Sequence, residues 1–233
     1  MMRYSLLGRL LDAIYPRQCP ICGQRLYPSE GPLCCACNLH LPRTHFARQP
    51  YDNIMARLFW GRIPIERAAA LFYYHAHAKS CNTIYQMKYG GREDLAISMG
   101  RMMAKEFDEM GFFEGITSIL PIPLAWSRQI RRTYNQSERI ARGIQEVTHL
   151  PILRDAVKRK TFRSSQTDKN FWQRTSNVKG AFSLQDARKL SHQHILIIDD
   201  VVTTGATITA CATELLKAED VKISVASLGF TER

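Results

Sequence analysis

From residue 68 onward the chain alternates between two rhythms of apolar and polar positions. Short apolar runs of strand length give way to longer stretches in which apolar residues recur at helical spacing. AAALFYYH (68–75), ITSILPIP (116–123), HILIID (194–199) and VKISVASL (221–228) predict strands. Residues 79–88, 92–110, 125–148 and 206–219 predict helices. Ile195 to Ile198 are apolar without interruption, as a strand covered on both faces requires. Alternation of this kind predicts an α/β fold, a parallel sheet flanked by helices. Ligands of such sheets sit beyond the carboxyl ends of the strands. The turns after Pro123 and Asp199 are therefore where chemistry is expected.

Residues 1–45 do not share that rhythm. Leu6, Leu7, Leu10, Leu11 and Ile14 are helically spaced, but Gly8, Arg9 and Asp12 interrupt them and no small-residue cleavage site follows. That predicts a short amphipathic helix rather than a secretion signal. It would pack on the body, or alternatively meet a membrane surface or a partner. Two C-x2-C pairs come next, Cys19 with Cys22 and Cys34 with Cys37. Such pairs can set four thiolates tetrahedrally around one zinc ion, so a closed, structural zinc ribbon is expected. Gly23 allows the tight turn after the first pair, Cys35 is surplus, and His40 could stand in for a cysteine. A redox dithiol or buried free thiols are the alternatives. Cys81 and Cys211 stand alone and read as packing residues. No apolar run approaches the roughly 18 residues needed to cross a bilayer. The expected location is the cytoplasm, where disulfides are rare. Residues 42–66 read as a connector, and the expected domains are 1–45 and 46–233.

Asp199 and Asp200 close the clearest strand, and Thr203-Thr204-Gly205-Ala206-Thr207 turns into a helix. Amides at a helix start are unpaired and lie at the positive end of its dipole, so the turn suits a phosphate. Gly205 allows close backbone approach, and the threonines add hydroxyl donors. Two carboxylates would repel that phosphate. They suit ribose hydroxyls or Mg²⁺ beside it. A sugar phosphate offers both features in one molecule. The spacings G-x-G-x-x-G and G-x-x-x-x-G-K-[ST] are absent. A phosphoryl-accepting aspartate, or a plain threonine-capped helix, would leave part of this pattern unexplained.

The net charge of +11 favours polyanionic partners: nucleic acid, phosphorylated small molecules or anionic lipid. Arg128, Arg131 and Arg132 can share one helix face, where planar guanidinium groups could hold a pyrophosphate. The alternative is a solvated basic face. Residues 154–179 carry eight basic residues against Asp155 and Asp168, interleaved with Phe162, Phe171 and Trp172. Lys158, Arg159, Lys160, Arg163 and Arg174 could contact single-stranded nucleic acid there. The same segment could instead close over the ligand as a hood.

Residues 195–207 resemble the phosphoribosyl-pyrophosphate (PRPP) motif of type I phosphoribosyltransferases at every position. PIPLAWSRQIRRTYNQSERIA (121–141), the C-x2-C pairs, Lys88-Tyr89, Arg159, Gln166, Arg174, Asn177 and Phe182 are similar to the ComF competence family. Thr133 and Tyr134 stand where that family usually has glycine and phenylalanine. The resemblance implies a type I phosphoribosyltransferase fold with an N-terminal zinc ribbon. It implies that the threonine turn holds the 5′-phosphate of PRPP and that Asp199 and Asp200, the catalytic pair, face the ribose with Mg²⁺ nearby. Lys88 would reach the same site. It also implies a role in DNA uptake during natural transformation, with single-stranded DNA and a competence helicase as partners. Whether transferase chemistry is kept stays open at this point. The alternative is a nucleotide-salvage phosphoribosyltransferase without a DNA role.

Overall fold

A computed structural model describes residues 16–124, 133–160 and 180–232. The predicted N-terminal helix, Arg128, Arg131, Arg132, Arg163 and Arg174 lie outside the described residues. In chain order the described strands are β1 (Arg67–Tyr73), β2 (Ser118–Pro121), β3 (Val157–Arg159), β4 (Phe182–Leu184), β5 (His194–Val202) and β6 (Lys222–Phe230). The α-helices are α1 (Cys35–Leu39), α2 (Ile54–Arg57), α3 (Cys81–Tyr89), α4 (Glu93–Asp108), α5 (Gln136–Thr148) and α6 (Ala206–Leu215).

The four apolar runs become one parallel sheet in the order β1-β6-β5-β2, as the alternation predicts. β5 lies inside it, and His194 to Ile198 are all buried. Side chains alternate across a strand, so both faces of the sheet are covered there. Both outer edges are occupied. Residues 42–44 run along β1, with an Arg43–Phe72 bridge and the Thr44 hydroxyl donating to the Ala70 carbonyl. Residues 151–153 run along β2 through the Ile119–Ile152 bridge. An occupied edge offers no template for aggregation.

Three elements differ from the sequence expectation. β5 continues past Ile198 through both aspartates to Val202. Of the helix expected over 125–148, the described part is α5, Gln136–Thr148, preceded by non-helical residues 133–135. Asn135 has extended backbone (φ −85°, ψ 112°), and its side chain accepts the Ser137 N–H at 3.1 Å as an N-cap. An asparagine cap outcompetes helical continuation because its oxygen satisfies an orphan amide. The third element is the antiparallel hairpin β3–β4, with Arg159 paired to Phe182. Three-residue strands are too short to display a period of two, so no pattern in the chain marks them.

α4 and α5 pack together at two glycines. A methyl group at Gly100 would overlap the Ile140 carbonyl oxygen, and one at Gly143 would overlap the Ile97 carbonyl oxygen. This close crossing seats α5, and with it the residues at its N-terminus, against β2 and β5. Forcing a methyl into such a contact costs about 1–3 kcal/mol. Gly143→Ala is therefore expected to lower Tm by roughly 3–10 °C, at about 2–4 °C per kcal/mol for a chain of this size. Thermal denaturation followed by circular dichroism checks it; an unchanged Tm would contradict the packing described.

Candidate functional site

The apolar run of β5 delivers Asp199 and Asp200 to the carboxyl end of the sheet, and the turn 203–205 leads into α6. Gly205 is the N-cap of α6 in left-handed backbone, φ 69°. A Cβ at this position would sit 2.8 Å from Phe59 Cε1 and 3.1 Å from Leu58 Cδ2. Only glycine meets both demands at once. The turn is also held from outside, where the Arg62 guanidinium donates to the Thr204 carbonyl at 3.0 Å. Within it, the Thr204 hydroxyl accepts the Ala206 N–H at 3.3 Å. Thr203 and Thr207 face a cleft of about 310 Å³.

The other walls of that cleft come from separate parts of the chain. Lys88, at the end of α3, places its Nζ 3.0 Å from Asp200 Oδ2. Ser137, in the first turn of α5, donates its hydroxyl to Asp199 Oδ1 at 3.2 Å. The Asp200 N–H donates to the same oxygen at 2.9 Å. Ile122, Pro123 and Leu124 follow β2 into the cleft, and Tyr74 and Arg159 also line it. The Arg159 guanidinium also lies 5.2 Å from the centroid of the Phe182 ring. The segment before α5 ties these parts together. Tyr134 Oη and Gln136 Nε2 both donate to the Met87 carbonyl, at 2.5 and 3.2 Å. Asn135 Nδ2 donates to the Ile122 carbonyl at 3.1 Å. The hydroxyl that distinguishes Tyr134 from phenylalanine thus fastens α3 to α5.

Two carboxylates on consecutive residues are electrostatically expensive. Burial, and then the Asp200 charge, push the Asp199 carboxyl up from 3.8 to about 7, against the pull of the Asp200 N–H, Lys88 and Ser137. The cleft therefore holds more negative charge than it can ionise cheaply at neutral pH. A cation or a set of hydroxyl donors would relieve it.

The cysteine pairs form a second centre. The sulfurs of Cys19, Cys22, Cys34 and Cys37 all lie within 4.8 Å of one another, and those of Cys22 and Cys34 are 3.7 Å apart. A tetrahedron with Zn–S bonds of about 2.3 Å has sulfurs roughly 3.8 Å apart, so the thiols fit one zinc ion. Gly23 (φ 76°) makes the turn after the first pair, with its N–H on the Cys19 carbonyl. Cys35 is exposed and outside the cluster. His40 is also outside it, with Nδ1 2.8 Å from the Ala36 carbonyl. Glu30 braces the loop between the pairs by accepting the Tyr27 and Cys35 N–H groups. Burial alone would raise the Cys19 thiol, but the N–H groups of Cys34, Cys22 and Ile21 bring it down to about 7. Burial and the neighbouring sulfurs push Cys37 well up. The cluster can carry one thiolate readily and needs a cation to carry four.

The phosphoribosyl transferase domain model matches residues 110–230. The chain belongs to that family. "DNA utilization protein YhgH" of Escherichia coli strain K12 is 30% identical over 137 residues, covering 58% of this chain and 60% of the relative. "Competence protein F" of Haemophilus influenzae is 33% identical over 101 residues, covering 43% and 44%. The chain thus spans three fifths or less of these relatives' lengths, and their names bear out the resemblance to the competence family. Among solved structures, the glutamine PRPP amidotransferase of B. subtilis complexed with ADP and GMP aligns over 60% of this chain and 30% of that chain. That alignment has 17% identity and a TM-score of 0.40.

The structure gathers Asp199, Asp200, Thr203 and Thr207 of this phosphoribosyl transferase domain, with Lys88 from the chain before it, around one cleft. Thr204, Gly205 and Ala206 form the turn beside it. Arg159, expected on a nucleic-acid surface, lines the cleft instead, while its neighbours Lys158 and Lys160 are exposed. Sequence reasoning missed Ser137, Tyr74, Phe59 and Arg62. Ser137 stood inside the quoted 121–141 signature, and its place two residues after the capping Asn135 was the available signal. Nothing in the local sequence marks Phe59 and Arg62, which reach the turn only through the fold.

A carboxyl held above its ordinary value costs stability once it ionises. In the unfolded chain Asp199 loses its proton near 3.8, in the fold near 7. Stability is therefore full below 3.8, falls as pH rises between those values, and stays reduced above 7. Asp199→Asn removes the charge, so its Tm is expected to exceed that of the wild type by several degrees at pH 8, with the gap closing toward pH 5. Thermal melts across that range test this; a gap constant with pH would refute the assignment.

Proposed function

We propose that the cleft binds a ribose 5-phosphate, with PRPP as the substrate class, in a protein that handles DNA during uptake. The observation that carries this reading is the meeting of an acidic pair with a threonine turn at a helix start. The 5′-phosphate would take the Thr203–Thr207 turn, whose amides and hydroxyls donate. Asp199 and Asp200 would accept the ribose hydroxyls. Lys88 and Arg159 would face the pyrophosphate, a role also expected of Arg128, Arg131 and Arg132 from their helical spacing and guanidinium chemistry. Mg²⁺ held by the same acidic pair would supply charge neutralisation to the pyrophosphate. The excess negative charge of the cleft supports its fit.

In phosphoribosyl transfer the bond from C1 of the ribose to the pyrophosphate oxygen breaks and its electron pair leaves with pyrophosphate. A lone pair of the acceptor then forms the new bond to C1. The carboxylates of Asp199 and Asp200 would stabilise the positive charge that develops on the ribose between those events. Ser137 would keep Asp199 in place. The DNA role draws its support from the relatives' printed names and from the basic surplus.

Titration calorimetry with PRPP and Mg²⁺ tests the ligand. Binding is expected, weakened at least tenfold in Asp200→Asn, whose loss also frees Lys88 from its partner; no heat with the wild type would remove the reading. For the ribbon, we propose structural zinc held by Cys19, Cys22, Cys34 and Cys37. One equivalent per chain is expected by metal analysis, and Cys34→Ser is expected to lose it together with several degrees of Tm. A metal-free wild type of unchanged stability would exclude zinc.

A further inference from the structure

The outer face of α3 is unlike a solvated helix face. Cys81, Thr83, Ile84 and Met87 are buried against the body, and Asn82, Tyr85 and Tyr89 face outward. Tyr85 and Tyr89 are 63% and 61% exposed. One helical turn apart, their rings meet with centroids 5.0 Å apart at an interplanar angle of 49°. Exposed helix faces usually carry charge, and two touching phenol rings in water are not a scattered surface residue.

The strip adjoins the cleft. Lys88, next to Tyr89, reaches inward to Asp200 at 3.0 Å. Another wall of the cleft carries Arg159, the last residue of β3, with Lys158 before it and Lys160 after it exposed. The cleft beside the aromatic strip thus carries cations from two walls, Lys88 and Arg159, with exposed lysines adjacent to Arg159 in the chain.

We infer that Tyr85 and Tyr89 form a base-stacking platform for single-stranded nucleic acid at the mouth of the cleft, its backbone directed toward Lys158 and Lys160. This rests on the DNA-handling reading above and adds where the bases go. A small acceptor would be enclosed on most of its surface, which two rings this exposed cannot provide. A strand needs only open aromatic faces and nearby cations, since every base has a face to stack. The net charge of +11 favours a polyanion over a protein partner.

Fluorescence anisotropy of the full chain with a labelled oligothymidylate tests this, with Tyr85→Ala/Tyr89→Ala compared against Tyr85→Phe/Tyr89→Phe. The alanine pair is expected to raise Kd about tenfold or more, and the phenylalanine pair to bind like the wild type. The salt slope should stay unchanged in the alanine pair, because no phosphate contact is lost, and fall in Lys158→Ala/Lys160→Ala. On an abasic strand the wild type and the alanine pair should bind alike. An alanine pair that binds the oligonucleotide like the wild type, as it would if the strip served a protein, overturns the platform alone. So does an equal loss on the abasic strand. A wild type without affinity for any single strand overturns the DNA-handling reading beneath it. Both tyrosines face solvent, so wild-type melting curves are expected for all variants.

Discussion

Everything around the cleft is arranged about the mutual repulsion of two carboxylates on adjacent residues. Asp199 and Asp200 could each be accommodated alone; together, at the covered end of β5, they must be held, neutralised or left protonated. The fold does all three. Ser137 and the Asp200 amide grip one carboxylate, Lys88 sits on the other, and burial keeps the first from ionising readily. This explains why α3 and α5 are fastened so firmly. The Met87 carbonyl takes two side-chain donors, Tyr134 just before α5 and Gln136 at its first position, and α5 itself is clamped to α4 at paired glycines. Misplacing either helix would remove a partner from an aspartate that cannot spare one. Active sites commonly retain such unfavourable groups at the expense of stability.

Much of this could be read from the chain because it is encoded locally. The all-apolar run into Asp199, the threonine turn with its glycine, and the two C-x2-C pairs each carry their geometry within a few residues. The parallel sheet followed from the alternation of periods. What could not be read depends on contacts across the fold. Arg159 looked like one more member of a basic run, yet pairing with Phe182 in a three-residue strand aims it at the cleft. The helix expected over 125–148 is not continuous through 133–135, because Asn135 caps α5, and a hydrophobic pattern does not register that choice. Phe59 and Arg62 meet the turn across a long stretch of intervening chain.

The ribbon is less separate than a boundary at residue 45 suggests. Cys19, Leu26, Leu33, Cys34 and Leu41 belong to the same buried core as the sheet. Arg43 bonds Asn38 on one side and pairs with Glu106 of α4 on the other. Gln86 of α3 donates to the Pro20 carbonyl at 3.4 Å. α3 therefore touches the ribbon at one point and the acidic pair at another, so the two centres share a mechanical element.

The wedge beneath Gly205 has an architectural consequence. The stretch that carries the family signature begins at residue 110, whereas Phe59, Arg62 and Lys88 precede it. The recognisable module is thus smaller than the working one. A shuffled or excised segment starting at that border would keep every diagnostic letter of the motif yet lose the aromatic prop that shapes its turn and the ammonium that balances its charge. Inheritance of the site has to proceed with both halves in step, and a change in the girth of residue 59 must be answered at residue 205.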